Sequence, residues 1–239
     1  MGTLCKRKQM SLKYSIQIPM RCQQEGYRKV IDTLEAQTIR HENFELIIAN
    51  DCVSINPIEP IKTSFKQRIV RIPDRLPGWA YSIGRNVCMD YGTPTSEYLV
   101  HIDADWLLIP ETLANSYPLL SNNTILRGWK KYQDGRFRMY PEMFIAPTSA
   151  VKASGGWDEV FFPWYGGSFH DMMRRLQKAY PVELKDSDTF YANCVGTDVK
   201  YKRVYDVNKK LIKQLANLGT KKPIMRGTTA TEVVYEQGY

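Results

Sequence analysis

The chain has 239 residues, 43% of them hydrophobic, enough for one large domain or two small ones with a real core. Lys and Arg outnumber Asp and Glu by 33 to 25, a formal charge of +8, so the surface is expected to attract anions such as phosphates, nucleic acid or an acidic membrane. The composition excludes a transmembrane helix, since no window approaches the roughly 20 apolar residues that cross a bilayer. It also speaks against a disulfide framework or zinc site, since Cys5, Cys22, Cys52, Cys88 and Cys194 are odd in number and widely spaced without a Cys-x-x-Cys pair.

Residues 1–13 form a basic tail with Lys6, Arg7, Lys8 and Lys13 but without the apolar stretch of a secretory signal. A soluble, cytoplasmic protein is expected, with peripheral attachment to an acidic membrane as the variant that the charge allows, or the host cytoplasm if the chain is viral. Tyr14-Ser-Ile-Gln-Ile-Pro19 alternates apolar and polar residues and stops at a proline, the pattern of a strand entering a loop. From Tyr27 to Gln37, the residues Val30, Ile31 and Leu34 follow helical spacing. Phe44-Glu-Leu-Ile-Ile-Ala49 is nearly all apolar, a strand buried on both faces, and ends at Asn50-Asp51. Strand, helix and strand within about 35 residues make a βαβ unit of a parallel sheet, whose ligands bind beyond the carboxyl ends of the strands.

Arg68-Ile-Val-Arg-Ile72 reads as a short strand among prolines, and Gly78 to Asn86 leads into a helix ending near Gly92-Thr-Pro94. Next comes Tyr98-Leu-Val-His-Ile-Asp-Ala-Asp-Trp106, an apolar run ending in two acids one residue apart. In an extended chain Asp103 and Asp105 fall on one side and Ala104 on the other, so the pair can share one hard divalent cation; a strand running into a turn is the plainer reading. Three strand ends, at Pro19, Asn50-Asp51 and His101 to Asp105, are expected to meet on one sheet edge.

A helix from Glu111 to Leu120 follows Pro110, then strands at Ile125-Leu126 and Met143 to Ala146 around the turn Gln133-Asp-Gly-Arg136. Gly155-Gly-Trp-Asp158 and Trp164-Tyr-Gly-Gly167 are glycine pairs beside aromatics, open to a ligand or mere turns, and the second opens a helix from His170 to Lys178. From Thr197 onward the chain is strongly basic, with Val207, Leu211, Leu215 and Leu218 at helical spacing. That is a basic amphipathic helix, either solvated and packed on the core or free to meet a polyanion.

In this order the blocks resemble glycosyltransferases of the GT-A fold that use nucleotide-diphosphate sugars, over about Tyr14 to Lys178. Ser15-Ile-Gln-Ile-Pro19 resembles the opening strand before the nucleotide loop. Ile47 to Ser54 resembles the second strand, whose terminal acid contacts the base, which points to Asp51. Gly84-Arg85-Asn86 resembles the Ala-Arg-Asn block near the nucleotide, Ile102-Asp-Ala-Asp105 the DxD metal motif, and Gly155-Gly156-Trp157-Asp158 the Gly-Gly-Phe-Asp block beside donor and acceptor. In galactosyltransferase-like relatives a Trp-x-Gly-Gly pair precedes Glu-Asp-Asp-Asp; here Trp164-Tyr-Gly-Gly167 precedes Ser168-Phe-His-Asp171.

The resemblance implies an α/β GT-A fold, a Rossmann-like, mostly parallel sheet flanked by helices. Residues 14–195 would be the transferase domain, with a nucleotide-sugar half at 14–110 and an acceptor half at 111–195, and residues 196–239 a basic helical extension. It implies a hexosyl- or pentosyltransferase, inverting by preference, with Mn²⁺ or Mg²⁺ as cofactor and a nucleotide-diphosphate sugar such as a UDP-sugar as donor. Pro19, Arg21, Asp51, Arg85, Asn86, Asp103, Gly156, Trp157 and Trp164 would bind the donor. Asp103 and Asp105 would hold the metal, with His170 as a third ligand. The base would be Asp171, the surviving carboxylate of the altered acidic block, or His170, whose ordinary pKa lies near neutrality. The acceptor stays open between a glycan or glycolipid and modified bases of DNA, for which Trp157, Phe161, Phe162, Trp164 and Tyr165 offer stacking surfaces. A third reading is a non-catalytic binder of nucleotide or nucleic acid, and the oligomeric state is not legible.

Overall fold

The structure, a computed structural model, describes residues 12–21, 24–51, 58–72, 81–161, 167–194, 205–217 and 232–237. Its strands are β1 (Tyr14–Arg21), β2 (Phe44–Asp51), β3 (Lys66–Arg71), β4 (Tyr98–His101), β5 (Trp106–Leu108), β6 (Thr124–Lys131), β7 (Phe137–Pro147), β8 (Glu183–Cys194) and β9 (Glu232–Gln237). The helices are α1 (Gln24–Glu35), α2 (Tyr81–Tyr91), α3 (Thr112–Ser116), α4 (Thr148–Ser154), α5 (Ser168–Ala179) and α6 (Tyr205–Asn217). The nine strands among the described residues join one sheet in the order β5-β8-β6-β7-β4-β1-β2-β3-β9. Its centre, β4-β1-β2-β3, is parallel throughout. β7 runs antiparallel to β4, and β9 antiparallel to β3.

The two-residue period decides what each face of this centre meets. Ile16, Ile18 and Met20 of β1 and Leu46 and Ile48 of β2 share a core with Tyr27, Val30, Ile31 and Leu34, the apolar stripe of α1. Their neighbours Ile47 and Ala49 turn to the other face and pack with Val70, Ile83, Val87 and Cys88 under α2. β1 alternates there with Ser15, Gln17 and Pro19, all facing away from α1. Gln17 donates Nε2–H to the Cys88 carbonyl at 3.3 Å. At Gly84 of α2 an added Cβ would stand 2.8 Å from Pro19 Cβ, so a glycine is what lets the helix lie directly on the strand.

Several boundaries differ from the sequence expectations. β1 continues through Pro19 to Arg21, because β2 stays in register with it as far as Asp51 and proline withholds only one donor, although its pairing with β4 ends at Gln17. The helix after Pro110 is shorter than expected, α3 giving way to a 3₁₀ turn at Tyr117–Leu119. The strands around Asp134-Gly135 are far longer than expected, and β8 and β9 were not anticipated at all. β9 lies in the basic extension yet pairs with β3 and completes the sheet, with Arg68 and Glu236 ion-paired across the ladder. On α6, Leu215 is buried at 2% exposure and Leu211 half-buried, while Lys210 and Lys213 are exposed. Trp164, Phe162, Tyr165, Leu218 and the tail of residues 1–11 lie outside the described residues.

Candidate active site

The parallel strands β1, β2 and β4 deliver their carboxyl ends to one edge, with Arg21 paired in register with Asp51 and Gln17 with His101. Both Arg21 and Asp51 are half-buried at that edge. Beyond β4 the chain does not stay extended. Asp103, Ala104 and Asp105 form a tight turn, closed by the Trp106 N–H on the Asp103 carbonyl at 3.1 Å, so strand alternation is not what orients the two acids. The turn aims them at two different cations. Asp103 Oδ1 accepts from Arg85 Nη2 at 2.7 Å, while Asp105 Oδ2 stands 3.7 Å from Lys130 Nζ.

Arg85 is fully buried and fixed on three sides. It donates to the Gln17 carbonyl of β1 at 2.7 Å and to the Tyr81 hydroxyl at 3.1 Å as well as to Asp103. Its neighbour Asn86 does the same for the Gly-Gly-Trp-Asp block. The side-chain amide donates to the Trp157 carbonyl at 2.9 Å and to Glu159 at 2.8 Å, and accepts the Trp157 N–H at 2.9 Å. One turn of α2 thereby ties the end of β1, the Asp103 turn and the Gly155-Gly156 turn into one rigid edge.

The two acids act on each other. The Asp103 carboxyl is pushed up to about 7, first by burial, with the negative charges of Asp105 and Glu142 adding to it and Arg85 and Lys130 opposing. Three acids and two cations therefore share this edge. His101, just behind it, is fully buried between the rings of Phe144 and Trp157, at 4.3 and 4.7 Å, and burial followed by the charge of Arg85 holds it well below its ordinary range.

In the turn after α4, Gly155 and Gly156 both adopt positive φ, 81° and 80°. A Cβ on Gly156 would meet Asn86 Oδ1 at 2.6 Å, so this position requires glycine twice over, for conformation and for space. The Gly156 carbonyl accepts from Arg175 Nη2 at 2.7 Å, and Arg175 also holds the Ser154 carbonyl at 2.6 Å. Arg175 is in turn held by Asp171, whose two oxygens accept from Arg174 at 2.7 Å and Arg175 at 2.8 Å.

The structure therefore sorts the expected residues. It brings together Asp103, Asp105 and Arg85 directly, and Pro19, Asn86 and Gly156 through their packing and hydrogen bonds. Trp157 is 1% exposed and Phe161 equally buried, so these rings pack inside the protein and offer no face to a ligand. Asp171 is fully buried on its two arginines, whereas His170, the preceding residue of α5, is exposed. Among the described residues no three His, Cys, Asp or Glu side chains stand close enough to hold a metal ion, which corrects the expected trio of Asp103, Asp105 and His170. The sequence reading missed Glu142 and Lys130. The signal for Lys130 was its register: in Leu126-Arg-Gly-Trp-Lys130 the alternation puts a lysine on the same side as buried Leu126 and Gly128.

No protein family's sequence profile matches the chain, and no curated protein matches it. Solved structures do. S. aureus TarS aligns at 14% identity and a TM-score of 0.65, covering 86% of this chain and 39% of TarS. The mannosyltransferase PcManGT from Pyrobaculum calidifontis, in complex with GDP-Man and Mn²⁺, aligns at 13% identity and a TM-score of 0.57, covering 82% of this chain and 60% of that one. The catalytic domain of Drosophila beta1,4galactosyltransferase 7, in complex with xylobiose, aligns at 12% identity and a TM-score of 0.56, covering 84% and 79%. The chain thus spans about two fifths of the length of TarS. The fold of this chain is that of the GT-A nucleotide-sugar glycosyltransferases, a mixed α/β architecture around a parallel sheet.

Proposed function

We propose that the chain transfers a sugar from a nucleotide-diphosphate donor to an acceptor hydroxyl. The observation that carries the proposal is the Asp103-Asp105 turn, with its acids opposed to Arg85 and Lys130 at the carboxyl edge of a parallel sheet. Similar structures support the donor class, since TarS has been crystallised with UDP and with UDP-GlcNAc.

Breaking the bond between sugar and diphosphate builds negative charge on the leaving oxygens. Arg85 fixes Asp103, leaving Asp105 as the carboxylate turned toward the Lys130 side of the edge. Carboxylate oxygens suit Mg²⁺ or Mn²⁺; Asp105, with Asp103 beside it, would hold the ion, and diphosphate and water would complete its shell. When bound, such an ion supplies neutralisation of the leaving diphosphate. Asp51 and Arg21, at the ends of β2 and β1, would flank the nucleotide.

The acceptor hydroxyl must also lose a proton. Asp171 is a poor base in this reading, because both of its oxygens serve arginines; its role is to position Arg175 and through it the Gly155-Gly156 turn. His170, exposed at the first turn of α5, keeps the base role open to it.

A glycan or glycolipid is the acceptor we favour, with transfer of a hexose or pentose by inversion. The exposed Lys210 and Lys213 on α6 are the observation in favour of DNA instead. Thermal shift against a panel of nucleotide-sugars, with and without Mn²⁺, tests the proposal: a donor should stabilise the protein, and more so with the ion. If no nucleotide-sugar stabilises it and none is hydrolysed, the chain is a binder and not a transferase. Salt-sensitive DNA binding lost in Lys210→Ala/Lys213→Ala would select the nucleic-acid acceptor, and its absence would leave the glycan.

A further inference from the structure

Lys130 is an unusual residue to find inside an edge that opposes acids to cations. It is 7% exposed, and lysine is almost never buried to that extent without a partner. Strand register forces it inward: β6 lies between β7 and β8, pairing Lys130 with Arg138 on one side and Ala192 on the other. Two positions earlier, Gly128 leaves no room for a side chain, its added Cβ falling 2.8 Å from Phe190.

Three rings surround the ammonium. Its Nζ lies 4.7 Å from the Trp106 ring centroid, 4.9 Å from Tyr140 and 5.5 Å from Tyr132, all within cation–π range. Trp106 and Tyr140 themselves meet edge to face at 4.7 Å, which makes the box rigid. Asp105 Oδ2 at 3.7 Å is the carboxylate in ion-pair range, too far for a hydrogen bond. The amine is therefore held mainly by rings and register, and it presents its charge to Asp105 from a fixed position.

We propose that Lys130 is a built-in counter-cation that competes with a divalent ion for Asp105, so that the protein alone holds the ion weakly. A donor diphosphate relieves the competition, because its negative charge satisfies the ammonium and the ion together. Only this second half rests on the nucleotide-sugar reading; the competition needs the protein and the ion alone. Unit charges about 4 Å apart at an effective dielectric near 20 repel strongly enough to change affinity by roughly tenfold or more.

The test is Mn²⁺ binding without donor, followed by electron paramagnetic resonance. Lys130→Met, which keeps the length of the side chain and removes its charge, should bind Mn²⁺ roughly tenfold or more tightly than wild type. Lys130→Arg should stay close to wild type, and adding Asp105→Asn to Lys130→Met should cancel the gain. If Lys130→Met matches wild type within about twofold, or if the gain survives Asp105→Asn, the proposal is overturned. Lys130→Gln, with its polar tip, repeats the measurement should Lys130→Met not fold. Failure of the donor reading would show separately, as wild type that no nucleotide-sugar stabilises in the presence of Mn²⁺.

Discussion

In Asp171→Asn the carboxylate between Arg174 and Arg175 loses its charge but keeps its shape. The Asp171 side chain is 1% exposed and Arg175 fully buried, so water cannot screen the pair. At 2.8 Å and an effective dielectric near 20 the bare Coulomb attraction is about 6 kcal/mol, and breaking a buried pair by changing one partner costs about 3–5 kcal/mol in practice. The amide still accepts one hydrogen bond, and Arg174 is partly solvated, so the lower end, about 3 kcal/mol, is expected. Against a total stability of about 5–15 kcal/mol that is a large fraction. Urea unfolding followed by circular dichroism should show a clearly lower midpoint, and Arg175→Met should cost a similar amount. Because Arg175 holds the Ser154 and Gly156 carbonyls, donor binding should weaken along with stability. Wild-type unfolding together with at least tenfold lower turnover would refute this reasoning and return Asp171 to the role of base.

Asp105→Asn should leave the free energy of urea unfolding within about 1 kcal/mol of wild type, since the residue is partly solvated, yet lower sugar transfer by roughly a hundredfold; full turnover in a coupled diphosphate-release assay would remove the acid from the site. Gly156→Ala forces a side chain onto a positive φ and into Asn86, and should cost about 2 kcal/mol or more in thermal unfolding; an unchanged melting temperature would mean that the turn relaxes freely. Burial pushes the Cys88 thiol up to about 12, so at pH 8 iodoacetamide should leave Cys88 unmodified in the native protein, as read by peptide mass spectrometry, and alkylate it only after unfolding.

Much of the N-terminal half could be read from local pattern. Val30, Ile31 and Leu34 mark α1, and the unbroken apolar run from Phe44 marks β2, because burial on one stripe or on both faces leaves its period in the residues themselves. The same holds for Gly84-Arg85-Asn86 and Gly155-Gly156, where close approach and positive φ demand particular residues.

What tertiary structure alone decided concerns pairings between distant segments. β8 and β9 exist as strands because β6 and β3 offer edges, a condition that lies far away in sequence. Asp103 and Asp105 looked like neighbours on one strand face. Instead a turn hands one to Arg85, 18 positions earlier, and the other to Lys130 in β6. Asp171 and His170 are adjacent residues with opposite fates, since the helix buries one against Arg175 and exposes the other. Chemistry at this edge is set by which charges the fold brings within a few ångströms of each other. Coulomb interaction depends on that distance and on burial, and neither is written in a residue's own neighbourhood along the chain.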